Sequence, residues 1–324
     1  MQMNQKQHKI LTLTLNPSTD QIQTVDSFLP FGKNIVLTSD RFLGGKGINV
    51  SLTLGKLGAD CVALGFAGED TLPGYEEKLI SLSVEPRLIQ IQGKTRENLK
   101  IVDLRTGRDT EFNQFGFQVN SNHLALLNSL LEEYLPMADW LILSGSLPPG
   151  VPSDYYFDLV SLAKSKGVRT CLDTSGSPLI EGFSAQPDIL RINLSEMREL
   201  VQASLEEESE LVREIARVQK KGVQYLVISL GSQGAIGFNG REMLKVRTPV
   251  ISPLSLTGAG DAMTGAFVFQ LQQGKSFREV LAFSAAVASA SVLCKEPGDF
   301  RQQDADRLNS EIQVEKLQLS PKVL

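Results

Sequence analysis

The sequence predicts an α/β fold in which a mostly parallel central sheet is covered by helices on both faces and carries a small β-strand lid. Short apolar runs rich in β-branched residues alternate with helical patterns along most of the chain. Two glycine clusters, "GGKGIN" at 44–49 and "TGAGD" at 257–261, each stand in front of an apolar stretch of helical character. Two further segments read as consecutive strands with no helix between them, and these predict the lid.

Taken in order, "KILTLTL" reads as a strand, "INVSLTLGKLG" as a helix, "CVALGFAG" as a strand and "GYEEKLISLS" as a helix. The alternation resumes with "HLALLNSLLEEYLP", "DWLILSGS", "DYYFDLVSLAKSKG", "VRTCLDTSG", "DILRIN", "ELVREIARVQKKG" and "QYLVISLG". Strands separated by helices pair in parallel, with ligands at their carboxyl ends. The lid strands fall at about 20–43 and 95–117, the second pair turning at Thr106-Gly107. With no low-complexity linker or short repeat, residues 1–324 read as a single domain with an inserted lid.

Composition narrows the function classes. A net charge of -5 with lysine and arginine spread along the chain gives no basic stripe, which argues against nucleic acid or an anionic membrane as the main partner. The polar start "MQMNQKQHK" and the lack of any run near the roughly 18 apolar residues of a membrane span predict a cytoplasmic protein. Cys61, Cys171 and Cys294 are far apart in apolar surroundings and read as reduced core thiols. The two histidines, His8 in a polar tail and His123 near a helix start, do not make a histidine triad or a multi-histidine metal site. Catalysis must then use carboxylates, lysines, arginines and backbone.

The first glycine cluster is neither of two common phosphate loops. Gly47 follows Lys46 where a Walker A loop needs Ser or Thr, Asp40 stands where its leading glycine belongs, and Val50 breaks a dinucleotide fingerprint. What remains is close backbone approach and a helix start whose N–H groups favour polar or anionic groups. In the second cluster Gly258, Ala259 and Gly260 present N–H groups beside Asp261. Asp261 could simply cap its helix, but a cap needs no preceding Gly-Ala-Gly. Fixed N–H dipoles beside a carboxylate suit phosphoryl transfer, where charge grows on the travelling group while a proton leaves the attacking hydroxyl.

With "GGKGIN", "SGSLPPG" at 144–150, "NLSE" at 193–196, "SLGSQGA" at 229–235 and "TGAGD" in that order, the chain resembles PfkB-type sugar kinases of the ribokinase superfamily from about residue 10 to about residue 298. The resemblance implies a ribokinase-like three-layer sandwich and transfer of the γ-phosphoryl of ATP, with Mg2+, to a sugar hydroxyl. It implies Asp261 as base and Gly258, Ala259 and Gly260 as anion hole. Asp20, Gly45, Asn49 and Ser146 would face the sugar, and Asn193 with the Ser229–Gly234 loop, including Gly231, would hold ATP. Glu196 matches the acidic residue that orders magnesium and its waters.

Within the family, "LTLNPSTD", "TRENLKI" and "TEFNQFG" are most similar to the 1-phosphofructokinases, with tagatose-6-phosphate kinases and the minor 6-phosphofructokinase as alternatives. This implies conversion of fructose 1-phosphate to fructose 1,6-bisphosphate, and a homodimer formed through the lid. A phosphorylated hexose fits the cations Lys33, Lys46 and Arg96, with Arg96 the expected phosphate ligand because a guanidinium binds phosphate bidentately. Lys100 alternates with apolar residues and reads as a solvated strand face outside the site. The chain departs from the pattern at Arg191-Ile192, where many members have Lys-Pro, at Leu256, and at Glu111, which stands in place of a phosphate-binding arginine of the 6-phosphofructokinase branch.

Plainer readings exist for several of these residues. Asp20 could be a turn residue, Ser146 a buried core hydroxyl, and Asn193 with Glu196 a capping box. A sugar-phosphate or nucleotide sensor without turnover is the alternative of another class, and Asp261 argues against it because a sensor needs no base.

Overall fold

The computed structural model describes residues 8–318. Of the polar start, only its last two residues fall within them. His8, expected in a tail, pairs with Asp139 at 2.8 Å beside the first strand.

The chain opens with β1 (Lys9–Thr14), β2 (Ser18–Val25), β3 (Val36–Gly44), α1 (Lys46–Lys56), β4 (Cys61–Gly68), α2 (Leu72–Ser81) and β5 (Glu85–Ile91). It continues through β6 (Arg96–Asp103), β7 (Asp109–Asn113), α3 (Ser121–Tyr134), β8 (Ala138–Ser144), α4 (Tyr155–Ser165), β9 (Arg169–Asp173), α5 (Ser177–Ser184) and β10 (Ile189–Asn193). Then come α6 (Leu194–Val201), α7 (Glu208–Gln219), β11 (Tyr225–Ser229), β12 (Ala235–Phe238), β13 (Met243–Arg247), α8 (Ala259–Gln272), α9 (Phe277–Ser291), α10 (Gln302–Glu311) and β14 (Gln313–Leu317).

Ten strands form the large sheet in the order β14-β13-β12-β11-β10-β9-β8-β1-β4-β5. The run from β5 to β11 is parallel, and β12, β13 and β14 extend it antiparallel. Side chains on a strand alternate between faces, and here the alternation sorts the core into two layers. Leu11, Leu13, Leu141 and Leu143 join the cluster that packs against α3 to α7. Ile10, Trp140 and Ile142 join the opposite cluster, with α1, α2, α8 and α9. Outside α8 and α9 lies α10, through Ala305 and Leu308. This is a three-layer α/β sandwich. All three cysteines are buried and free, as core thiols.

The second sheet has four strands in the order β3-β2-β6-β7. Its two hairpins are antiparallel, and β2 joins β6 in parallel over eight residue pairs, from Ser18↔Arg96 to Val25↔Asp103. The two strand-rich segments of the sequence thus form one sheet. Its root is pinned by Tyr75, a fully buried side chain whose hydroxyl lies 2.7 Å from the Ser18 carbonyl oxygen and 3.0 Å from that of Gly44. Among the described residues no helix is long and apolar enough to cross a membrane.

Candidate active site

A cleft of about 970 Å³ opens at the carboxyl ends of the central strands, lined there by Thr14, Ser144, Asn193 and Ser229. Its roof is the small sheet, which contributes Asp20, Gln21 and Ile22 from β2, Asn98, Leu99 and Lys100 from β6, and Glu111 and Asn113 from β7. Two helix starts form its floor. Gly45 precedes α1 at φ 112, and a Cβ there would sit 2.8 Å from the Pro17 Cα, so only glycine fits. Gly258 precedes α8 at φ 84 with Pro297 and Gly298 pressed against it. The first turn of α8 then carries Ala259, Gly260 and Asp261, all lining the cleft.

Asp261 is 5% exposed and accepts a hydrogen bond of 2.7 Å from Asn49 Nδ2. Its carboxyl is pushed up to about 6. Burial is the main cause, Lys46 opposes it, and the neighbouring Asp173 adds to it, while Asn49 and Arg191 favour the ionised form. Asp173, fully buried at the end of β9, behaves oppositely and is held down at about 2. Burial alone would raise it, but Lys46 and Arg191 together overcome that. Lys46 Nζ donates to Asp173 Oδ1 at 2.7 Å, and Thr264 Oγ1 donates to Oδ2 at 2.7 Å. Arg191 approaches Oδ2 at 3.4 Å and donates to Ser229 Oγ at 3.0 Å. The Lys46 ammonium stays charged despite burial, because the Asp173 carboxylate faces it.

On the roof side, Asp20 Oδ1 accepts from Asn98 at 2.9 Å. The Arg96 guanidinium donates to the carbonyl oxygens of Asn16, Pro17 and Gln114 at 3.1, 3.3 and 3.2 Å, which clamps the connection between the two sheets. Each terminal nitrogen keeps a second N–H. Ser146 is exposed to the cleft and accepts from Asn16 Nδ2 at 3.1 Å, so it is not a core hydroxyl. On the far side Ser229, Gly231 and Gly234 line the cleft, followed by an apolar wall that includes Val250, Leu256, Met263 and Val292.

Three residues stand otherwise than expected. Glu196 is not among the lining residues: its carboxylate accepts from the Asn193 backbone at 2.7 Å while Asn193 Oδ1 accepts from Glu196 N at 2.9 Å, a capping box at the start of α6. Lys33 is not brought to the cleft either. The β2–β3 register pairs Ser18 with Gly44 at the cleft end and Val25 with Val36 at the other, so the exposed loop carrying Lys33 projects from the far end. Lys100, read as a solvated face, lines the cleft and pairs with Glu111 at 2.7 Å and Asp109 at 3.0 Å. Lys46 does line the cleft, but its charge is engaged by Asp173.

Asp173 escaped the sequence reading, and Arg191 entered it only as a departure from the family pattern. The available signal was a charged residue near the carboxyl end of an apolar strand, where α/β sheets bind ligands.

A parallel sheet with two glycine-framed helix starts at its carboxyl edge, a buried aspartate between them and a small sheet above defines a carbohydrate kinase of the α/β class. A family model described as pfkB family carbohydrate kinase matches residues 16–304. The chain belongs to that family, phosphotransferases that act on an alcohol group. It is 33% identical to a 1-phosphofructokinase of Borreliella burgdorferi over 96% of this chain and 100% of the relative. It is 30% identical to a tagatose-6-phosphate kinase of Staphylococcus epidermidis over 94% and 99% of the two chains. Phosphofructokinase-2 from Escherichia coli, solved with substrates and products, superposes with a TM-score of 0.87 at 28% identity, covering 94% of this chain and 99% of the other.

Proposed function

We propose that the protein transfers the γ-phosphoryl of ATP to fructose 1-phosphate, giving fructose 1,6-bisphosphate. The observation that carries the reading is Asp261: a buried carboxylate in the first turn of α8, beside the N–H groups of Gly258, Ala259 and Gly260 and bonded to Asn49 of α1. Its raised affinity for a proton matches a group that accepts one from a hydroxyl while the oxygen–phosphorus bond forms. The helix-start N–H groups stabilise the negative charge spread over the travelling phosphoryl.

Asp20, Gly45, Asn49 and Ser146 take the sugar and the second N–H of each terminal nitrogen of Arg96 takes its phosphate, a reading supported by their shared lining of the cleft. Asn193 and the Ser229–Gly234 loop take the nucleotide, whose base meets the apolar wall. The donor set fits magnesium that arrives with ATP. No cluster of three or more His, Cys, Asp or Glu among the described residues could hold a metal ion, and magnesium takes most of its ligands from phosphate oxygens and water. Once bound, it neutralises charge on the nucleotide phosphates. Glu196 would act on it through the Asn193 segment that it caps.

The small sheet serves as the lid of a single kinase domain. Its strongly exposed Phe31, Ile35, Leu37, Phe112 and Phe115 suit pairing with a second copy, giving a homodimer.

A coupled ADP-release assay with fructose 1-phosphate, tagatose 6-phosphate, fructose 6-phosphate and unphosphorylated fructose tests the reading. Fructose 1-phosphate should give the highest kcat/KM. Preference for tagatose 6-phosphate, favoured by the Staphylococcus epidermidis relative, would move the chain to that branch. Binding of MgATP without turnover of any sugar would make it a sensor.

A further inference from the structure

We propose that Asp173 is a positioning residue of the transfer centre: one buried carboxylate ties the starts of α1 and α8 to β10 and sets the cations of the cleft wall against Asp261. This rests on the phosphoryl-transfer reading above. Asp173 has no exposed surface and is not among the lining residues, so it acts through its partners. Those partners come from three elements. Lys46 is the first residue of α1, Thr264 follows Asp261 by three residues in α8, and Arg191 belongs to β10. The elements they sit on are the ones assigned to the sugar, the anion hole and the nucleotide.

The contacts leave little freedom. The Thr264 hydroxyl lies 2.7 Å from Asp173 Oδ2 and 3.0 Å from the Gly260 carbonyl oxygen, so the carboxylate holds the turn that carries the anion hole. A Cβ on Gly260 would run into the Arg191 guanidinium, which is therefore seated directly on the backbone of that turn. Arg191 is 6% exposed, and its Nε is buried without a partner. Two cations in one low-dielectric wall repel each other, and removing their shared anion would leave them uncompensated. Asp173 is the shared anion that lets Lys46 stay charged beside Arg191 where the travelling phosphoryl passes.

The charge of Asp173 reaches Asp261 through space, so the Asp261 titration reports the electrostatic link, and a loss of kcat at near-constant KM reports the positioning that a merely structural side chain would not give. Asp261 faces Lys46 from α1, Asp173 from β9 and Arg191 from β10, and Glu196 from α6 acts on Lys46. Asp173→Asn removes an anion and keeps both cations, so the Asp261 titration should move down from about 6. Asp173→Asn combined with Lys46→Met removes the pair. Lys46 affects Asp261 more than Asp173 does, so the titration should then move up. The double variant also preserves charge balance, which protects it if the single variant fails to fold.

The experiment is carboxyl 13C NMR of the full chain, with the Asp261 resonance assigned by its loss in Asp261→Asn, together with kcat and KM for both substrates. Opposite shifts in the two variants, with kcat reduced about 10²-fold and KM values within a few-fold, are the expected result. If the single variant does not fold, the double variant compared with Lys46→Met alone carries the test, and its Asp261 titration should lie the lower of the two because Asp173 is absent. An Asp261 titration that stays at the wild-type position, or kcat within about two-fold of wild type, overturns the proposal. Absence of turnover in the wild-type protein would refute the functional reading instead, and the titrations would still decide whether Asp173 governs Asp261.

Discussion

Asn49 donates to Asp261 across 212 positions of sequence, at 2.7 Å, in a buried setting. The bond links α1 to α8 and leaves Asn49 Oδ1 buried without a partner, the atom that on the proposed function would accept a hydroxyl from the sugar. Asn49→Leu keeps the size and removes both functions. Because the bond favours the ionised carboxylate, its loss should move the acid limb of kcat/KM upward from about pH 6 and raise the sugar KM. A pH–rate series on the variant checks both effects. An unmoved limb would detach Asn49 from the base.

Asp261→Asn should lower kcat by roughly 10²- to 10⁴-fold, since the amide cannot take the proton. Stability should respond in the other direction. The folded carboxyl titrates near 6 against an ordinary 3.8, so folding opposes its ionisation, and the cost grows as pH rises from about 4 to 6 and persists above. The variant should therefore gain thermal midpoint over wild type at pH 8 and gain none at pH 4. Thermal melts at both values, on the preparation used for kinetics, make the comparison.

Asp173 carries the opposite sign. Its carboxyl is depressed from 3.8 to about 2, so its contribution to stability is complete above about 4 and is lost only as pH falls through 2. The wild-type acid limb of kcat/KM should thus show a single step near pH 6, belonging to Asp261. A second step between pH 4 and 6 would implicate another carboxylate.

Arg96→Ala should raise the sugar KM and lower kcat/KM by the equivalent of about 2 to 4 kcal/mol, with the KM for ATP nearly unchanged. It should also lower the thermal midpoint, because three backbone carbonyls lose their donor. Arg96→Lys should recover part of the charge and little of the clamp. An unchanged sugar KM would place the phosphate elsewhere.

Tyr75→Phe removes only the hydroxyl that bonds at the root of the small sheet. A lost buried hydrogen bond costs about 1 kcal/mol, more where carbonyls are left unpaired. The sugar KM should rise more than the ATP KM, as measured by paired saturation curves.

The large sheet was legible because all of its parallel strands but β5, at Glu85–Ile91, carry their own signal. "KILTLTL" and "DWLILSGS" are apolar on both faces, and the helices between them are periodic. Strands β12 and β13, of four and five residues, are too short to show a period. Nor could the sequence show that β2 pairs with β6, since register between segments so far apart leaves no local trace. Asp261 and Asn49 stood out through their glycine motifs, but Asp173 looked like the last residue of a strand. "NLSE" has the same letters whether or not Glu196 caps a helix, and the hydrogen bonds show that it does.

Four chain segments join the small sheet to the rest of the fold, and two of them lie against each other: Leu15–Pro17 leading into β2 and Gly45 leading out of β3 into α1. Both of these joints line the cleft through Asn16 and Gly45. A door hung this way has its hinge in the lock, so any swing of the four strands turns the groups that grip the substrate. Tightness of grip and angle of closure are then one mechanical variable, and a substitution cannot loosen the hinge while leaving the grip as it was.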